Sequence, residues 1–162
     1  MIDDMDHLVS SAVASVFGTM LNLPVREESK GAPIGEAEAM IAGSVGFIGV
    51  VTGVVFIYST MVFARKVARG MLGGETAHAG EEMVNDAFGE ITNMIVGHIK
   101  SRLADRGMTC ALTIPSILRG SNFSVEPTSS SRRRISMFRC GDSPLVVEVL
   151  LKPSSAVTAL AA

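Results

Sequence analysis

Cysteine is scarce. Cys110 and Cys140 are the two in 162 residues, and they form neither a disulfide framework nor a metal-binding spacing. They read as reduced, buried thiols. A surplus of either charge is also missing: 14 Lys and Arg against 16 Asp and Glu leave a net charge of -2. That gives no electrostatic case for nucleic acid as a partner. The opening MIDDMDHL is acidic and so opposes the basic start of a secretory signal, and a cytoplasmic location is expected. At this length the chain can bury a substantial core, and one domain over 1–162 is expected, with 153–162 as a loose tail.

Charge is wholly absent from Ala39 to Ala64. A run of that length could cross a bilayer, and Gly43, Gly46, Gly49 and Gly53 could pack helices in lipid. Yet the run is rich in Val and Ile and broken repeatedly by glycine. FIGVVTGVVFIYS reads more easily as buried β-structure.

The remaining elements follow from periodicity and punctuation. A first helix is expected from Asp3 to about Leu21, ended before Pro24. Residues 25–37 form a polar connection or an irregular edge strand. Strands over about 39–48 and 50–59 lead to a helix, MVFARKVARGMLG, capped by Ser59 or Thr60 and stopped by Gly73-Gly74. A long helix over about 80–105 follows. Thr109–Ile114 is then a strand ending at Pro115, and Asn122–Val125 a short one. Arg133–Cys140 and Leu145–Lys152 form a hairpin across Gly141-Asp142-Ser143-Pro144. The order α-β-β-α-α-β-β-β implies an α/β fold of the α+β type, helices packed on a largely antiparallel sheet.

The long helix organises the chain. Val84, Ala87, Phe88, Ile91, Ile95, Ile99 and Leu103 recur at three- and four-residue steps and mark a buried face. On the opposite face Asp86, Glu90, Asn93 and Gly97 follow at i, i+4, i+7 and i+11, a narrow stripe at roughly 100° per residue. Glycine inside a helix costs about 1 kcal/mol relative to alanine, so Gly97 points to a surface that comes very close.

Asp86-x3-Glu90-x2-Asn93, with Pro115 twenty-two positions after the asparagine, resembles the signature of the CheC/CheX/FliY phosphatases, and the length and element order resemble CheX most. The resemblance covers nearly the whole chain and argues against a membrane span over 39–64. It implies a CheC-like fold and hydrolysis of the aspartyl phosphate of a CheY-like response regulator. In that reading Asn93 orients the attacking water, Glu90 docks the partner's lysine, Asp86 supports, and Gly97 lets the partner's loops approach. The resemblance further implies Mg²⁺ on the partner, no cofactor or metal on this chain, and a homodimer. A second motif on the first helix would need an amide where Asp6, Ser10 and Val13 stand, so one site per chain is expected. The alternative is a non-catalytic adaptor or sensor domain of the same fold, since fold does not fix activity.

Other features read more blandly. Glu82, Asp86, Glu90 and His98 are spread over too many turns for tight metal coordination. His78 is expected in an exposed loop, Arg132-Arg133-Arg134 on a charged hairpin loop or edge, and the ten methionines, Met83 and Met94 among them, in the core.

Overall fold

The charge-free run becomes the middle of a sheet. In the computed structural model, which describes residues 4–29, 34–35, 38–73, 80–128 and 131–152, it supplies β2 (Met40–Gly49), β3 (Gly53–Thr60) and the start of α2 (Met61–Met71). Among the described residues no helix is long and apolar enough to cross a membrane. Before these elements come α1 (Met5–Met20) and β1 (Val25–Glu28). After them come α3 (Glu81–Ala104), β4 (Cys110–Leu112), β5 (Ser116–Gly120), β6 (Arg132–Cys140) and β7 (Ser143–Leu151). His78, Gly74 and the 153–162 tail lie outside the described residues.

The sheet runs β1-β6-β7-β3-β2-β4, with β5 also on β2, and its pairings are antiparallel. The three helices cover one face. Residues alternate along each strand, so Ile41, Val45 and Phe47 of β2, Val55 and Ile57 of β3, and Leu145, Val147 and Val149 of β7 all point into that layer. They meet Phe17, Phe63, Phe88, Ile91, Ile95 and Ile99 from the helices. Each such side chain, fully buried, contributes about 1.5–3 kcal/mol before conformational entropy is counted. Thr60 caps α2 by accepting from the Phe63 amide at 3.1 Å.

Two short strands extend the expected order. β1 is the edge strand, pairing Val25–Glu28 with Met137–Cys140. β5 exists because Pro115 interrupts the edge strand without ending it. Leu112 faces Phe47 and Ser116 faces Ser44, so Thr113, Ile114 and Pro115 oppose Val45 and Gly46. Three residues against two make a bulge, a place where proline's missing N–H does no harm. Conversely, Asn122–Val125 forms no strand. Phe123 and Val125 instead pack flat on the sheet's second face, against Met40, Ala42 and Tyr58.

Among the described residues that second face holds one buried carboxylate. Glu148 is 3% exposed, with Arg133 Nε at 2.9 Å and the Tyr58 hydroxyl donating at 3.4 Å. Arg133 thus lies on β6 beyond the reach of β1, as the charged edge reading expected. Burial and the Glu148 charge push the Tyr58 phenol well above its ordinary range.

Candidate functional site

The 24 residues of α3 span about 36 Å and are fastened at both ends. At the start Glu81 ion-pairs with Arg119 of β5 and with Arg65 of α2, the latter at 3.3 Å. Arg119 also donates to the Glu81 carbonyl at 2.8 Å. Glu81 and Glu82 in the first turn suit the helix dipole, which matters because the N-cap, Gly80, offers no side chain. Beyond the far end Arg106 reaches Asp4 before α1 at 2.6 Å. Between these points the apolar face lies on the sheet, and Thr92, fully buried, turns its hydroxyl back to the Phe88 carbonyl at 2.8 Å.

This seating aims the remaining face outward. Asp86 and Glu90 are exposed, while Asn93 and Gly97 are half-buried. Among the described residues no side chain hydrogen-bonds or ion-pairs with Asp86, Glu90 or Asn93. Two carboxylates and a carboxamide therefore stand with their hydrogen-bonding capacity unused by the chain itself. Among the described residues nothing lies within 4 Å of where a side chain at Gly97 would begin, so the helix backbone there is open to an approaching surface. The acidic row gathers no metal cage. Among the described residues no three His, Cys, Asp or Glu side chains come together, and His98 buries its Nε2 without a hydrogen-bonding partner.

The neighbours of the stripe were the part hidden from sequence. At its start Met83, expected in the core, is 42% exposed, because its position falls outside the arc that meets the sheet. Met94, by contrast, does pack against the core. Beside the stripe is the β4–β5 bulge. Pro115 and Ile117 close over Gly89 at 3.9 and 3.8 Å from its would-be side chain, one residue before Glu90. Ile114, read as the end of a strand, projects into solvent. A proline placed after a β-branched run signals a turn but does not reveal which helix turn it will cover.

A family model described as chemotaxis phosphatase CheX matches residues 41–138. The chain belongs to the CheX family. The matched CheX segment runs from β2 into β6 and so contains all of α3 and the bulge. A curated relative, the CheY-P phosphatase CheX of Thermotoga maritima, is 24% identical over 124 residues, covering 74% of this chain and 80% of its own. The chemotaxis protein CheX of Desulfovibrio desulfuricans has a similar fold, with a TM-score of 0.79 at 24% identity over 92% of this chain and 99% of that one. The CheX of Borrelia burgdorferi, solved with CheY, BeF3 and Mg²⁺, superposes with a TM-score of 0.72 at 22% identity, covering 90% and 96%. The α+β class read from the sequence is the fold that these CheX proteins share.

Proposed function

We propose that this CheX-family chain hydrolyses the aspartyl phosphate of a CheY-like response regulator. The observation that carries the reading is the free, outward row of Glu90 and Asn93 on a helix whose other contacts are all spent on holding it in place. The Thermotoga relative's name and the Borrelia complex with CheY support the same partner class.

The chemistry asks little of the phosphatase itself. Phosphoryl transfer is promoted by positioning and charge stabilisation. A water oxygen forms a bond to phosphorus while the bond to the aspartyl oxygen breaks, and the products are inorganic phosphate and a free aspartate. Asn93 can accept a proton contact from that water and donate to a phosphoryl oxygen without titrating, which fixes the attack in line. Glu90, one helical turn earlier, pairs with a lysine of the partner and sets the register. Asp86 adds to the same attraction, and the bare backbone at Gly97 leaves room for the partner's loops. Mg²⁺ belongs to the partner's phosphorylation site. A cytoplasmic location and a homodimer formed through the sheet complete the proposal; light scattering decides the latter.

Phosphate release from Mg²⁺-bound, phosphorylated response regulator tests it. Wild type accelerates release, and Asn93→Ala abolishes the acceleration with thermal stability and binding retained. Binding without acceleration by wild type overturns hydrolysis and leaves an adaptor.

A further inference from the structure

Ile114 is 87% exposed, yet everything around it is fixed. On one side Thr113 is tied twice to Gly46, its amide donating to the Gly46 carbonyl at 2.9 Å and its hydroxyl accepting from the Gly46 amide at 2.8 Å. On the other side Pro115 rests over Gly89 of α3. A residue before proline is also confined to extended backbone, and a β-branched side chain has few rotamers. Ile114 is therefore a rigid apolar knob rather than a loose loop tip. Ordering it against another surface loses little entropy.

Its place along the helix is equally defined. β4 starts just past the end of α3, where the Met108 amide donates to the Leu103 carbonyl at 2.9 Å, and Pro115 stands at Gly89. The edge strand thus runs back antiparallel to the helix from Leu103 to Gly89, and the bulge falls beside the turn that carries Asn93. A protein seated on Glu90 and Asn93 would meet Ile114 at once. Met83, two helical turns before Glu90, is exposed as well, so apolar side chains stand at the start and at the side of the free polar row. Polar groups that set register, bordered by apolar groups that exclude water, are the anatomy of a protein interface rather than of a small-molecule cleft.

We infer that Ile114 is an apolar docking contact for the response-regulator receiver domain and helps to select it; this rests on the function proposed above. The matching receiver surface carries an apolar depression beside its phosphorylated site, within a helical turn of the lysine that Glu90 meets. Regulators with a charged residue in that depression are poor substrates.

Two readouts test this: steady-state phosphate release, and binding to regulator charged with beryllofluoride and Mg²⁺, which cannot turn over. Both use wild type, Ile114→Asp and Ile114→Leu. Ile114→Asp raises KM and Kd about tenfold, the effect of losing one well-buried aliphatic contact. It leaves kcat within about twofold, as expected of a contact equal in ground and transition states. Ile114→Leu restores near wild-type values. An unchanged KM and Kd in Ile114→Asp overturns the inference while leaving the phosphatase reading intact. Wild type that binds without hydrolysis overturns that reading, and the Kd comparison still judges Ile114. A fall in solution mass with Ile114→Asp also overturns it, by assigning the residue to contact with a second copy.

Discussion

Gly43 of β2 lies directly beneath Thr92 of α3. A side chain at 43 would begin 2.9 Å from the Thr92 Cβ and closer still to its hydroxyl. The helix is seated this low on the sheet because the glycine leaves the space. Thr92 cannot swing away, being β-branched and held to the Phe88 carbonyl. The residue after it is Asn93, so this contact sets the height and rotation at which the proposed site is presented.

Gly43→Ala should therefore act at a distance. It forces Thr92 and the helix upward, an overpacking expected to cost about 1–3 kcal/mol. Urea denaturation measures that loss. At temperatures where the variant is fully folded, phosphate release should also slow, since displacement of a positioning group by a fraction of an ångström is enough to spoil in-line attack. Unchanged stability would show that the sheet yields locally instead.

Glu90→Gln separates charge from shape. The amide fits where the carboxylate was, so any effect reports the proposed ion pair with the partner's lysine. KM should rise several-fold, and its dependence on ionic strength should flatten, because an exposed pair is screened by salt. Wild-type kinetics in this variant would remove Glu90 from the docking role.

Tyr58 ties stability to alkaline pH. Its folded-state pKa is raised above the ordinary 10.0, chiefly by burial and then by the Glu148 charge. The unfolded chain loses the phenolic proton near pH 10, where the folded chain still keeps it. The stabilisation linked to that proton is thus complete below about pH 10 and is lost as pH rises toward the folded value. Urea melts from pH 8 to 11 should show stability falling across the upper part of the range. Tyr58→Phe, which cannot ionise, should flatten that part of the decline, while the buried Cys140 thiol, raised in the same direction, leaves a residual slope.

Much of the fold was legible because it depends on period. The seven apolar positions read on α3, from Val84 to Leu103, repeat at helical steps and are buried in the structure, Ala87 alone of the seven remaining half-buried. The Ala39–Ala64 run alternates and breaks in the manner of paired strands, and β2 and β3 are where it places them. Arg133, at an end of β6 without a β1 partner, was recognisable as an edge residue. Phe123 and Val125 were not. Their short apolar pattern suits a strand, but the second face of the sheet offered them more burial than an edge would.

The sequence by itself determined which residues share the outward face of the central helix, since 3.6 residues per turn bring Asp86, Glu90, Asn93 and Gly97 into one line whatever the helix packs against. It also determined family and fold class, because periodicity and the spaced motif are properties of the chain read in order. Only the tertiary structure decided what stands beside that line. Pro115 over Gly89, Ile114 held out on a bulge tied through Thr113 to Gly46, and Gly43 beneath Thr92 are meetings of residues 26 to 67 positions apart. Such contacts are set by how strands pair and how closely a helix can approach them, and no local period encodes that distance.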